Sequence, residues 1–165
     1  MSSPARVRGL AVILGLLALA GCSSPATGDG TLTEGRARTE ELVADAAATL
    51  PPTVQPQKPF VSGSVACRRK FLGFATGTTG DRRAEAPILV PVSTGTSPRS
   101  LLDPIAALWE DEGYEIDRGG LSDERYPKIR ATTPDGYEIV ATAIMYGPNR
   151  LDLYAVSPCL REAAS

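Results

Sequence analysis

Any chemistry in this chain has to come from carboxylates, hydroxyls, thiols or cationic side chains, because its 165 residues include no histidine. That excludes Ser-His-Asp and Cys-His nucleophilic machinery and any zinc site built on imidazole. Ser62 and Ser64 flank Gly63 without forming GxSxG, and no Ser-x-x-Lys pair exists to supply a lysine-assisted nucleophile. Glu110, Asp111, Glu112, Glu115 and Asp117 gather five carboxylates within eight positions, a composition that suits calcium or a cationic ligand. Their spacing does not match a calcium loop, and a solvated face partly paired with Arg118 or Arg130 fits better, so no metal ligand is assigned. A carboxylate-based glycan hydrolase would need two of these groups facing each other across a cleft. No catalytic residue and no cofactor is assigned.

The cations form a second cluster. Arg68, Arg69 and Lys70 follow Cys67, and Arg82 and Arg83 lie beyond the next turn, so a hairpin would bring the five together. Such a group suits phosphorylated lipid, an anionic glycan or an acidic partner. The better-supported reading is a strand edge guarded by charge against aggregation. Gly77-Thr78-Thr79-Gly80 and Ser93-Thr94-Gly95-Thr96-Ser97 have the small residues of an anion loop, but neither is followed by the Lys-Ser/Thr of a phosphate loop, and ordinary turn chemistry accounts for both.

The cysteines are more informative. Arg6 and Arg8 precede the apolar run Leu10 to Ala20, whose 11 residues fall short of the ~20 needed to span a bilayer and match the core of a signal peptide. The run ends in Leu19-Ala20-Gly21-Cys22, which resembles the lipobox of bacterial lipoproteins. That resemblance implies cleavage before Cys22, a diacylated Cys22 sulfur and anchoring at the extracytoplasmic face of the cell membrane, since two or three acyl chains hold where one does not. Cleavage removes Arg6 and Arg8 and leaves 15 basic against 19 acidic residues, a balance that suits neither nucleic acid nor an anionic bilayer as the main partner. With Cys22 taken by lipid, Cys67 and Cys159 remain as an even pair in an oxidising compartment, and a disulfide between them is expected.

These groups have to be positioned by the rest of the chain. Residues 1–21 read as signal peptide, 22–32 as a small, polar, flexible tether, and 33–165 as one α+β domain. Thr31 and Glu34 have capping-box spacing, and Leu42, Val43, Ala46, Ala47 and Leu50 recur at helical intervals, which predicts a helix over about 33–49 stopped by Pro51 and Pro52. The proline-rich stretch 51–59 is an extended connector. Two strands follow, around Cys67 and at 88–92, with 77–80 as the exposed loop between them and Pro87 and Pro91 pushing the second toward a sheet edge. Leu101, Leu102, Ile105, Leu108 and Trp109 form the apolar face of the main packing helix. Asp103 as cap with Pro104 at the first helical position is a better local fit than a start at Pro98. Strands at 114–118, 128–133, 137–146 and 150–157 complete the pattern, with Pro134-Asp135-Gly136 as a hairpin turn.

The expected fold is an antiparallel sheet of about five to six strands with two helices packed on one face and one disulfide. In outline it resembles small envelope lipoproteins of actinobacteria, given the lipobox, the Ala/Gly/Arg/Pro-rich usage and the Ser-Pro-Cys ending, a resemblance that carries no activity with it. The leading functional expectation is a lipid-anchored, non-catalytic module presenting the open sheet face to another envelope protein. The alternative is a carrier of a small apolar or amphipathic ligand held between sheet and helix, with Trp109, Val140, Ile144 and Leu153 facing the ligand.

Overall fold

The computed structural model describes residues 27–52, 54, 63–71, 74–146 and 149–161; Cys22 and the signal segment lie outside them. The order is β1 (Thr27–Thr31), α1 (Leu32–Ala48), β2 (Ser64–Phe71), β3 (Phe74–Pro91), α2 (Pro98–Asp111), β4 (Glu115–Asp117), a 3-10 turn (Gly119–Ser122), β5 (Lys128–Thr132), β6 (Glu138–Ile144), β7 (Arg150–Val156) and β8 (Cys159–Arg161). The α+β class holds, but the sheet has eight strands rather than five to six, arranged β1-β8-β3-β7-β6-β5-β4 with β2 paired to β3. Only β1 and β8 run parallel. β1 is itself a correction: residues 27–31 fall in the expected tether, yet Thr27 pairs with Cys159 and Thr31 with Arg161. Small polar residues with nothing to bury can still satisfy their backbone groups on an open strand edge.

Period-two alternation divides the sheet into two faces. Ala86, Ile88, Val90, Ile129, Ala131, Ile139, Ala141, Ala143, Leu151, Leu153 and Ala155 all point to one side and join Leu42, Val43, Ala46, Leu101, Leu102, Ile105 and Trp109 of the two helices in a single buried cluster. α1 earns its place through close approach rather than bulk, burying Gly35, Thr39, Leu42, Val43, Ala46 and Ala47 along one stripe. Its start is held by a complete capping box: the Glu34 amide donates to Thr31 Oγ1 at 3.3 Å, and the Thr31 amide donates to Glu34 Oε2 at 2.8 Å. α2 starts at Pro98 with Ser97 as N-cap, leaving Pro104 inside the helix, against the local preference for a start at Asp103. Interior proline costs about 3 kcal/mol, whereas Leu101 and Leu102, both fully buried, contribute roughly 1.5–3 kcal/mol each only if the turn before Pro104 is helical. Packing outweighs the local rule.

β3 organises the sheet. Over 74–84 it pairs with β2, and over 85–91 with β7. The chain reverses between Phe71 and Phe74, which pair, so 77–80 is not the connecting loop but part of β3. Gly77 and Gly80 have φ of 147° and 86°, and the register between β2 and β3 slips twice along this stretch, so glycine here permits bulges rather than a reversal. Pro87 and Pro91 do lie at an edge. The Glu85 amide points away from β7, donating to the Gly63 carbonyl, so the amides of every second residue, 87 and 91 among them, would face the same open side. Proline there costs no hydrogen bond to β7.

At Arg82, β3 pairs on one side with Ala66 of β2 and on the other with Leu160 of β8. Cys67 and Cys159 are joined at this point as a disulfide with a Cα–Cα separation of 6.1 Å across 92 positions. The expected bond is therefore present, but the strands carrying it flank β3 instead of pairing with each other. Ser157 manages the step from β7 to β8: its amide donates to the Ala84 carbonyl at 2.9 Å, and its Oγ accepts from the Ala84 amide at 2.8 Å.

Two outcomes follow for stability. Cys67→Ser with Cys159→Ser should lower the unfolding free energy by up to about 4–5 kcal/mol, the chain-entropy figure for so long a loop, read as a fall in urea midpoint that excess reductant reproduces in the wild type. Gly35→Ala should destabilise despite alanine's better helix propensity, because the added Cβ would overlap Leu160 Cδ1 and Leu160 is only 2% exposed. The expected loss is about 1–3 kcal/mol, with partial recovery when Leu160→Val is added.

Candidate functional site

The residues expected to line a ligand space separate onto two faces. Leu153 and Trp109 are core residues, each 1% exposed, and the space between sheet and α2 is filled by Ile139, Ala141, Leu101 and Ile105. Val140 and Ile144 lie one position out of phase with Ile139, Ala141 and Ala143, so they stand on the opposite face and do not belong to the core cluster. A one-residue offset in a strand moves a side chain to the other side of the sheet. The four expected ligand-facing residues therefore cannot surround one ligand.

The opposite face carries its own organised surface. Reading across the ladder, Pro87, Tyr154, Val140, Arg130 and Asp117 form one row over five strands. Leu89, Asp152, Thr142 and Lys128 form the next. Pro91, Arg150 and Ile144 form the third. Tyr154 and Val140, directly paired and half-buried, make a small apolar patch with Leu89 diagonal to Tyr154; half-buried Ile144 stands apart beyond Thr142 beside Arg150, and Lys128 and Arg130 are exposed on the β5 side. Arg150 Nε donates to Asp152 Oδ1 at 2.8 Å, a charged pair set between Leu89 and Ile144. Burial, together with the neighbouring Glu85 carboxylate, pushes the Tyr154 phenol well above its ordinary range. Sequence alternation along β6 and β7 signals two faces, but which residues share a row depends on register, which no short motif encodes.

The charged clusters resolve differently. Glu110 is paired with Arg118, and Asp117 Oδ1 accepts from the Gly119 amide at 2.8 Å. Among the described residues no group of three or more His, Cys, Asp or Glu side chains could hold a metal ion. Arg82 donates through Nε to Ser64 Oγ and through a terminal nitrogen to the Ser64 carbonyl, both at 2.8 Å, locking β2 to β3. Arg68 is exposed, and Arg69 and Lys70 continue β2 opposite Gly77 and Ala75.

Two clefts open at the ends of α2. One of about 410 Å³ lies between the C-terminal turns of α1 and α2, lined by Leu42, Asp45, Leu108, Trp109, Glu112 and Tyr114. The other, about 280 Å³, lies at the start of α2 beside Arg99, but Asp123 and Glu124 line it too, and Asp123 Oδ1 already accepts the Arg125 and Tyr126 amides. An anion gains little there.

Compared with protein-family models, with curated proteins and with solved structures, the chain has no match. The reading of its function therefore rests on its own residues.

The raised Tyr154 phenol makes an alkaline prediction. A tyrosine that stays protonated in the folded state while the unfolded chain ionises near pH 10 contributes stability that is complete below pH 10 and lost as pH rises above it. Tyr114 and Tyr137 shift the same way through burial. Urea unfolding between pH 9 and 12 should show a steep fall in stability for the wild type and a shallower one for Tyr154→Phe; identical slopes contradict the assignment.

Proposed function

We propose that this chain is a lipid-anchored envelope protein held at the extracytoplasmic face of the cell membrane through Cys22, and that it acts by binding another envelope protein rather than by catalysis. The observation that carries the reading is the half-buried apolar pair Tyr154 and Val140, with Leu89 beside it, on the sheet face away from the two helices. An antiparallel sheet with one face on its own helices ordinarily turns a polar face to water. A half-buried apolar patch with the cations Lys128 and Arg130 on its β5 side is a surface suited to a partner offering an apolar contact with acids beside it. The Cys67–Cys159 bond supports an oxidising compartment, where such bonds persist. The lipobox-like Leu19-Ala20-Gly21-Cys22 supplies the anchor, and among the described residues no helix is long and apolar enough to cross a membrane.

The carrier reading is the weaker of the two. It needs Val140 and Ile144 beside Trp109 and Leu153, and they stand on different faces.

A photo-crosslinking residue placed at Thr142, next to Val140 on the same face, should give one dominant adduct in intact cells. The same residue at Asp103, on the outward side of α2, should give none. Val140→Asp should reduce the Thr142 adduct at least about tenfold, the cost of setting a charge into an apolar contact. Equal adducts from both positions, or a Thr142 adduct indifferent to Val140→Asp, would overturn the binding face. Cys22→Ser should move the protein out of the detergent phase; a variant that still partitions there contradicts the anchor.

A further inference from the structure

The last turns of α1 and α2 approach each other but leave the open cleft of about 410 Å³ between them, a size in the range of small-molecule sites. Leu42, Asp45 and Thr49 recur at helical spacing, so one stripe of α1 supplies one wall. Leu108, Trp109 and Glu112, at the end of α2, supply the other. Tyr114 is set beside them by the way α2 stops. Gly113 takes the left-handed conformation after the helix, with φ of 75°. Its amide donates to the Glu110 carbonyl at 3.0 Å, and the Tyr114 amide donates to the Trp109 carbonyl at 2.9 Å. This pair of bonds is a Schellman turn, which folds the chain back over the last turn of α2 and brings half-buried Tyr114 to buried Trp109 at the cleft.

Both charged side chains lining this cleft are negative. Asp45 and Glu112 are exposed and, among the described residues, neither is in an ion pair. Two helix C-termini add to the field, since neither last turn holds a basic residue to offset its dipole. The cations nearby are committed elsewhere. Arg38 stands beside the Tyr114 phenol but is paired with Glu41 at 2.7 Å and lies 4.0 Å from Asp135, and Arg118 is paired with Glu110. An anion would meet two carboxylates and two negative helix ends. A divalent metal ion prefers several converging oxygens to an aromatic wall. An alkylammonium suits both halves of the site: its charge is drawn to the carboxylates, and its methyl or methylene groups pack against aromatic and leucine surface.

We infer that the cleft between the ends of α1 and α2 binds a small alkylammonium ligand, with Asp45 and Glu112 holding its charge and Tyr114, above Trp109, packing on its alkyl groups. The two carboxylates come from different helices, so the bound cation bridges them and offsets the like charge that the helix ends share. Binding is non-covalent and leaves the ligand unchanged. The site owes nothing to the lipid at Cys22 or to the outer sheet face, and it stands or falls without either.

Trp109 is the only tryptophan of the chain and lines the cleft, so its emission reports occupancy directly. Choline added to the purified full chain in non-ionic detergent, at constant ionic strength, should give a saturable change in emission, half complete at about 1–10 mM. Its neutral isostere 3,3-dimethylbutan-1-ol should bind about tenfold more weakly. Asp45→Asn with Glu112→Gln should weaken choline binding about tenfold, while the emission of the ligand-free protein stays as in the wild type. Equal binding of choline and the alcohol, or undiminished choline binding by the double variant, overturns the inference, as does the lack of any saturable response. A response that appears only in Lys58→Gln assigns the cleft to a lysine of this chain and overturns the external ligand.

Discussion

The shape of this domain depends on one strand serving three neighbours. β3 pairs with β2 and β8 at Arg82 and with β7 from Glu85 onward, and the Cys67–Cys159 disulfide ties two of those neighbours together across it. The bond closes 92 positions of chain, so the corner that receives β1 is held by covalent chemistry as well as by hydrogen bonds. Without it, β8 would be a three-residue strand meeting β3 at Arg82, a pairing with little backbone enthalpy of its own. The short β1 rests on that strand in turn.

The remaining sheet follows a simpler logic. Five strands, β3-β7-β6-β5-β4, form an antiparallel ladder whose inward residues are closed by two helices. The inward set is rich in alanine, with Ala86, Ala131, Ala141, Ala143 and Ala155 all at 0% exposure. Small residues on the sheet let large ones on α2 come close, so Trp109, Leu101, Leu102 and Ile105 pack against them almost fully buried.

What could be read from residues alone depended on the range of the physics involved. The Thr31–Glu34 box, the stop at Pro51 and Pro52, the Pro134-Asp135-Gly136 turn and the prolines at the open edge of β3 are local devices, and each is legible in a few residues. The disulfide was legible by counting, once Cys22 is set aside. Pro104 inside α2 was not, because two buried leucines decide it from across the core. Gly77 to Gly80 carry turn chemistry but bulge a long strand, a choice made by pairing partners far along the chain. The same limit applied to the candidate ligand residues: hydrophobic type is shared by Val140 and Leu153, and only register sends them to opposite faces.

The central claim is that one molecule carries both a lipid at Cys22 and a bond between Cys67 and Cys159. Intact-mass measurement on protein extracted from cell membranes without reductant tests both at once. The account predicts a polypeptide beginning at Cys22, heavier than residues 22–165 by a diacylglyceryl group, and lighter by the two hydrogens that a disulfide removes. An unmodified Cys22, or a mass that requires both remaining thiols to be free, contradicts it.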